Sequence, residues 1–377
     1  MAKIIQVTTF FYPVQGGVEK QVLELSEELT KQGHQVAVFC SDSTRSKKRI
    51  KEQESRIKNI RIKRFKTLFG FSQFYKIYPQ LFFGLMKTDF DVIHVHGFRK
   101  FEIYPALLAA KLKRKKIILT THNPFFTSTR NKLLQLFVNL HDITFGKIFT
   151  RFIDKIIVLI EDEIPFIKKF NVKQINISQI PNGIKNSDFQ TGNASDFINK
   201  YDIPNSKFKY KVLWIGRLNK VKGLENLETA VKQLGDALFI FVGPDDDAAL
   251  KYREMYHECK NTIFTGSIDS KEIKDALATT DILVLPSYHE AFGVVLLEAM
   301  AAGVPIISTN VGGPADIVKQ SFGITQEPSD QWAWMLNIEK LLKKQKLRNQ
   351  MKESAIKEAQ KYKWENLIYQ VLEVYGV

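Results

Sequence analysis

Two glutamates, Glu290 and Glu298, stand eight positions apart in "SYHEAFGVVLLEAMAAGVPIISTNVGG" (287–313), around a Phe292-Gly293 turn and an apolar run. A glycosidase would need two carboxyls about 5–10 Å apart across a sugar. Eight helical residues span ~12 Å, and the turn makes the first part non-helical, so separate tasks suit the two carboxylates better. Carboxylates accept hydrogen bonds from hydroxyls, which makes the vicinal diols of a ribose or a hexose suitable ligands. The plain alternative for Glu298 is a charge on an exposed helix face. Its neighbours, Val294 to Leu297 and Ala299 to Ala302, leave little such face.

Two loops could meet phosphate. In "FFYPVQGGVEK" (10–20), Gly16 and Gly17 follow a strand and open a helix. Glycines let a backbone approach a ligand closely, and a helix N-terminus offers free N–H groups to an anion. The loop lacks GxGxxG, so no dinucleotide fingerprint is present, and an ordinary strand-to-helix turn is the bland reading. In "LWIGRLNKVKGLENL" (213–227), Arg217 and Lys222 follow another strand. A planar guanidinium beside a compact ammonium would clamp a diphosphate, although two solvated cations on a loop would look the same. No Asp-x-Asp is placed to supply a metal beside these residues, and Asp245 to Asp247, the nearest, read as a solvated loop. Cys40 and Cys259 lie far apart without CxxC, which points away from disulfides and zinc and toward a reducing compartment.

The positioning elements are strands and helices in alternation. "KIIQVTTF", "HQVAVFCSD", "DVIHVHGF", "KIILTTHN", "DKIIVLI" and "INISQIPNG" read as strands. The run "GGVEKQVLELSEELTKQGH" reads as a helix with Val22, Leu25 and Leu29 on one face and Gly33 as its stop. After a polar joint, "KNSDFQTGNASDFINKYDIPNSKFKY", strands resume with "KVLWIGRL", "ALFIFVGP", "NTIFTG", "DILVLPS" and "VPIISTN". At 377 residues, two doubly wound α/β domains with a cleft between them are expected, ligands lying beyond the strands' carboxyl ends. The closing helix, "YKWENLIYQVLEVYGV", carries Trp364, Leu367, Val371 and Val374 on one face to pack back on the body.

The net charge is +15, and residues 1–180 carry +16 against −1 for the remainder. The densest run, Arg45 to Lys66, holds eleven basic residues and two glutamates. Such asymmetry implies an anionic partner. No nucleic-acid module or interleaved aromatics accompany the run, so a membrane surface is the better partner. The stretches "FSQFYKIYPQLFFGLMK" and "NKLLQLFVNLHDITFGKIF" read as helices adding Phe and Leu to cations, as interfacial binders do. The N-terminus has no signal-peptide layout and no run approaches ~20 apolar residues, so a cytoplasmic protein, peripheral on the membrane's inner face, is expected.

Taken in order, "GGVEKQVLELSEELTKQGHQV", "TTHN", "IPNGI", "IGRLNKVKG", "TGSI" and "LPSYHEAFGVVLLEAMAAGVPIISTNVGG" resemble retaining glycosyltransferase family 4. The resemblance spans nearly the whole chain, and Glu-x7-Glu is its specific element. It implies a GT-B fold, two Rossmann-like doubly wound parallel-sheet domains facing across a cleft. The expected boundaries are 1–185 for the acceptor side, joined by a helix over about 362–377, and 186–361 for the donor side. The implied reaction is metal-independent transfer of a hexose-type sugar from a UDP-, GDP- or ADP-sugar to a glycan or lipid-linked acceptor, as in polysaccharide or glycolipid biosynthesis. An epimerase or hydrolase of the same fold is the enzymatic alternative, and a nucleic-acid-binding protein the more distant one. By resemblance, Glu290 meets the donor sugar's hydroxyls, Glu298 the ribose, and Arg217 with Lys222 the diphosphate. Gly16 and Gly17 match a loop over the phosphates, and His122 matches a histidine near the transferred sugar that orients it. Backbone from Phe292 through Gly293 to Val294 would approach the phosphates, and Ile268 would flank the base. Lys185 and Asp316 depart from the family's usual Asp and Glu.

Overall fold

The computed structural model describes residues 1–45, 48–70, 75–122, 132–204 and 206–377. It divides into two compact units: Met1–Gly183 with Trp364–Val377, and Ile184–Lys363.

Unit 1 carries strands β1 (Lys3–Thr8), β2 (Gln35–Ser41), β3 (Glu54–Ile57), β4 (Ile60–Phe65), β5 (Phe69–Gly70), β6 (Lys76–Ile77), β7 (Val92–His96), β8 (Lys116–Thr120), β9 (Lys155–Val158) and β10 (Ile177–Gln179). Eight form one sheet in the order β10-β9-β8-β7-β1-β2-β4-β3, parallel except for the β3–β4 edge. The order reverses at β1 and β7, which places a crevice beyond their carboxyl ends. The six strands legible as Ile/Val-rich runs are all present. β3 and β4 are additional, and they arise from the basic run. In "IRIKRF", Ile60 and Ile62 are buried while Arg61 is exposed. Arg64 is buried, and its guanidinium donates to Tyr12 O at 2.7 Å, Glu52 O at 3.0 Å and Ser55 Oγ at 2.8 Å, leaving Nε without a partner among the described residues. β5 and β6 pair antiparallel as a separate two-stranded ladder.

Two expected helices are interrupted. In "FSQFYKIYPQLFFGLMK", residues 71–74 lie outside the described residues, β6 takes 76–77, and the helix is only Gln80–Met86, preceded by Pro79. Proline suits a helix start but not its interior, so the chain before it is extended. In "NKLLQLFVNLHDITFGKIF", Asn131 is likewise outside the described residues. There the helix Lys132–His141 passes through a π-helical turn, Asp142–Gly146, into Lys147–Thr150.

Helices Gly17–Lys31 and Trp364–Tyr375 bury one apolar cluster against the sheet, including Leu25, Leu29, Ile4, Ile118, Leu367, Val371 and Val374. Gly33, at φ +86, terminates the first helix in a conformation only glycine adopts without strain. The Trp364 ring lies where a Cβ on Gly183 would be, and its indole N–H donates to Glu24 at 3.1 Å.

Unit 2 carries β11 (Tyr210–Ile215), β12 (Ala237–Val242), β13 (Thr262–Gly266), β14 (Ile282–Leu285), β15 (Ile306–Thr309) and β16 (Gly323–Gln326). They form an all-parallel sheet in the order β13-β12-β11-β14-β15-β16, reversing at β11 and β14. β12, "ALFIFV", is buried at every position, as a strand covered on both faces must be. The polar stretch after Lys185 is not a joint. It forms the turn Asn186–Phe189 and the helix Ala194–Lys200, whose first N–H groups are capped by Asn193, and it buries Phe197 within unit 2. Gly192 packs so closely on the Lys274 backbone that no side chain fits there. Among the described residues no helix is long and apolar enough to cross a membrane.

Because Trp364 is a buried aromatic, Trp364→Ala is expected to lower the stability of unit 1 by about 3–5 kcal/mol. Denaturant unfolding followed on unit 1 amides checks this; a wild-type midpoint would mean that the last helix contributes nothing to that core.

Candidate functional site

Unit 2 concentrates its chemistry at the carboxyl ends of β11 and β14, where the strand order reverses. β11 runs into Gly216, whose carbonyl lies where a Cβ on Gly243 (φ +145) would be. Two glycine backbones therefore press together and hold the loop down. Asn219 then folds the turn Lys220–Lys222 by accepting from the Lys222 N–H at 3.2 Å. Gly223, at φ +61, closes that turn against the Pro286 carbonyl, leaving no room for a side chain. Asn226 donates to Pro286 O at 3.1 Å, and the Tyr288 N–H donates to Val221 O at 2.9 Å. These bonds lock the loop after β11 to the loop after β14.

The locked loops bring a cation to a carboxylate: Lys222 Nζ forms a close ion pair with Glu290, both side chains largely shielded from water. Arg217 is held by Asp246 at 3.1 Å, and Asn219 donates to the same carboxylate oxygen at 3.2 Å. The aspartate run is thus not a solvated loop. Asp245 pairs with Arg253 at 2.8 Å, and Asp247 accepts from the Lys220 N–H at 3.2 Å. Asp246 is a site residue that the sequence did not disclose, because its partner lies twenty-nine positions away.

The Glu290 loop rests on the glycine pair after β15. Gly312 (φ +62) lies against the Glu290 carbonyl, and the Gly313 N–H donates to that carbonyl at 3.2 Å. Phe292 is buried, its ring edge-on to Tyr362 with centroids 6.5 Å apart. Gly293, at φ +84, caps the helix Val294–Ala302, so the first N–H groups of that helix begin four residues after Glu290. Glu298, one turn further, is buried and lines a different opening. That pocket, about 380 Å³ of open space, is bordered by Asp188, Gly192, Ser270, Lys274 and Ala302 and contains neither Lys222 nor Glu290. Ile268 is nearly buried before the helix Ser270–Ala278. The structure therefore joins Arg217, Lys222, Glu290, Phe292, Gly293 and Val294 on adjoining loops, with Glu298 on the helix that the last of these opens.

Unit 1 holds the remaining candidates. Gly16 is extended (φ 173), and the position a Cβ would take is filled by the Glu19 carboxylate, which pairs with Arg45 at 2.5 Å. A side chain there would displace only the ends of Glu19 and Arg45, and Gly17 begins the helix. His122 follows β8 at φ +42. Its Nε2 lies 2.9 Å from His96 Nδ1, and His96 Nε2 lies 2.6 Å from Gln6 Oε1. His94 completes the group, 2.6 Å from the Tyr375 hydroxyl and 2.7 Å from Thr120. Burial pushes His122 down to about 4 and His94 to about 3, and His96 well below its ordinary value, so all three rings are neutral at pH 7. Glu102, at the β1–β7 reversal, is fully buried with its carboxyl raised by desolvation, and Thr9 donates to it at 2.5 Å. Neither Glu102 nor Gln6 stands out in sequence, since isolated polar residues carry no spacing signal.

The comparisons with known proteins concern the family and the fold. Residues 15–187 match the family described as Glycosyltransferase Family 4, and residues 197–358 match Glycosyl transferases group 1. The phosphatidylinositol N-acetylglucosaminyltransferase GPI3 subunit of Saccharomyces cerevisiae is 25% identical over 338 residues, 86% of this chain and 71% of the relative. The sulfoquinovosyl transferase SQD2 of Arabidopsis thaliana is 30% identical over 157 residues, 41% of this chain and 30% of that protein. In fold, the chain is similar to Anabaena HepE solved with UDP and glucose (TM-score 0.79, 16% identity, 100% of both chains). It is also similar to sucrose-phosphate synthase of Thermosynechococcus elongatus (TM-score 0.77, 21% identity, 100% of this chain and 98% of that one).

A pH dependence follows from the buried rings. An unfolded histidine titrates near 6.5 and these titrate lower when folded, so the unfolded chain binds more protons as pH falls. Their contribution is complete above about pH 6.5 and is lost on acidification towards pH 4, at ~1.4 kcal/mol per pH unit for each ring between its two pKa values. Unfolding measured from pH 7 to 4.5 is expected to show this slope, reduced by about a third in His94→Gln. An unchanged slope in that variant would show that His94 does not carry its share.

Proposed function

Since this chain belongs to the family-4 glycosyltransferases and has the GT-B fold, we propose that it moves a hexose-type sugar from a UDP-, GDP- or ADP-sugar to a hydroxyl of a glycan or lipid-linked acceptor, retaining the anomeric configuration. The observation that carries this reading is the Lys222–Glu290 pair at the β11–β14 reversal. A diphosphate needs a cation, a sugar needs a carboxylate, and here each holds the other's place. As the bond between the anomeric carbon and the phosphate oxygen breaks, negative charge gathers on the leaving diphosphate. Lys222, Arg217 and the N–H groups from Val294 onward are fixed donors for that charge. The acceptor oxygen bonds to the anomeric carbon on the face the phosphate leaves, and its proton passes to the departing phosphate oxygen. No metal is assigned a role, because these cations supply the same neutralisation. Glu298, one helical turn beyond Val294, takes the ribose, and Glu290 takes hydroxyls of the transferred sugar.

This pairing sets the outcome of substitution. Arg217→Ala and Lys222→Ala are each expected to weaken nucleoside diphosphate binding by about 1.5–3 kcal/mol, the range for hydrogen bonds to charged groups. Glu298→Gln is expected to weaken free nucleotide and nucleotide-sugar alike. Glu290→Gln removes Lys222's competing partner, so the nucleoside diphosphate should bind tighter while turnover falls at least tenfold. Calorimetry and turnover with the UDP, GDP and ADP series check all four. Weaker nucleotide binding with unchanged turnover in Glu290→Gln would exchange the roles of the two glutamates.

Membrane docking belongs to the same proposal, and within the charge run it rests on Lys48, Lys51, Arg56 and Lys66, which are exposed. Arg45, Lys58, Arg61 and Lys63 are paired with Glu19, Glu27 and Glu54, and Arg49 donates to Thr67 O. Lys47 lies outside the described residues. The stronger surface lies along 136–152, where Leu136, Leu140, Ile143, Phe145, Ile148 and Phe152 are each more than half exposed, with Lys147 and Arg151 interspersed. Apolar side chains beside cations suit an anionic interface. Co-sedimentation with anionic vesicles at low salt, release at high salt, and loss of binding in the triple variant Ile143→Ser, Phe145→Ser, Ile148→Ser are expected. Equal binding of the triple variant would remove this face from the proposal.

A further inference from the structure

We infer that Tyr375, on the last helix, acts through Gln6 and His96 as a positioning residue that fixes the tautomer of His122, leaving its Nδ1 as a bare hydrogen-bond acceptor. The orientation of the Gln6 amide, with Nε2 toward Tyr375 and Oε1 toward His96, is the premise, and from it each step follows from which atoms can donate. Gln6 Nε2 lies 3.2 Å from the Tyr375 hydroxyl oxygen, and an amide nitrogen only donates. The tyrosine proton therefore goes to its other neighbour, His94 Nδ1, at 2.6 Å. His94 is neutral, so its own proton sits on Nε2 and is donated to Thr120 Oγ1 at 2.7 Å. The opposite end of the Gln6 amide, Oε1, only accepts, so the atom 2.6 Å from it, His96 Nε2, bears the proton. His96 is neutral as well, which leaves its Nδ1 a lone pair. That lone pair accepts from His122 Nε2 at 2.9 Å. The His122 proton is thereby placed on Nε2, and Nδ1 is left to accept.

The chain of bonds is all-or-none. Turning the Gln6 amide over would demand the opposite tautomer of His94, His96 and His122 together. The members are buried, apart from a partly exposed His122 at the strand end, so water does not substitute for a missing partner. For catalysis the consequence rests on the reading above: an acceptor nitrogen at His122 receives a hydrogen bond from a sugar hydroxyl, whereas an N–H there would not.

The test uses the full chain with ¹⁵N-labelled histidine at pH 7 and long-range ¹H–¹⁵N correlation, His122 being assigned by its loss in His122→Asn. One tautomer is expected for His122, protonated at Nε2 and bare at Nδ1; a proton on Nδ1 overturns the inference without recourse to any variant. Tyr375→Phe deprives Gln6 of its acceptor and is expected to give His122 in both tautomers, with kcat lowered about tenfold and nucleotide Kd unchanged. A single wild-type tautomer in Tyr375→Phe also overturns it. Adding Gln6→Glu, whose side-chain oxygens both accept, is expected to restore the Nε2–H form. A tautomer mixture with undiminished kcat would support the relay and count instead against His122 lying beside the sugar.

Discussion

A cation meant for a diphosphate must be charged and in place before the phosphate arrives, in a site already partly withdrawn from water. Leaving such a charge unpaired costs several kcal/mol, so something else has to hold it. Here Asp246 holds Arg217 and Glu290 holds Lys222. Much of the local architecture serves these two pairs. Gly216 and Gly243 press their backbones together, Gly223 fits under Pro286, and Gly312 fits under Glu290, each where a side chain would force the loops apart. On the proposed function, diphosphate binding becomes an exchange of partners. Its free energy is the difference between two electrostatic contacts, which keeps the net gain modest and the release of product feasible.

Much of the fold was legible in sequence because parallel strands covered on both faces must be continuous Ile/Val-rich runs. β11, β12 and β14 follow that rule, and so do the strands that carry the candidate loops. The β3–β4 edge escaped because its outward positions are basic and only every second residue is apolar. Asp246 escaped for another reason: an ion pair between distant loops has no spacing to detect. The polar stretch after Lys185 misled because it looks like a linker, whereas Asn193 and Gly192 fold it onto the helix Ser270–Ala278. Lys222 and Glu290 were each singled out, but nothing in the chain announces that they touch.

The basic surplus of unit 1 also has a structural account. Lys58 reaches Glu27 on the first helix, and Arg61 and Lys63 flank Glu54 across the β3–β4 ladder. Charged side chains on an edge strand discourage pairing with another chain, which an eight-stranded sheet otherwise invites. The run thus serves first to hold and guard the sheet edge. Along 136–152, Phe149 packs on the core and Phe145 stacks on it, whereas Leu136, Leu140, Ile143, Ile148 and Phe152 are exposed.

The return of Trp364–Val377 to unit 1 matters for the order in which the chain is made. The first 183 residues leave the ribosome without the helix that covers Ile4, Val92 and Ile118, and roughly 180 residues of unit 2 are synthesised before it follows. At ~5–20 residues per second, that interval is about 10–40 s. Throughout it, unit 1 exposes an uncovered apolar sheet face, while unit 2 is complete in sequence before unit 1 is. Chaperone engagement during synthesis is thus expected to fall on the first half of the chain and to end with the emergence of its last helix.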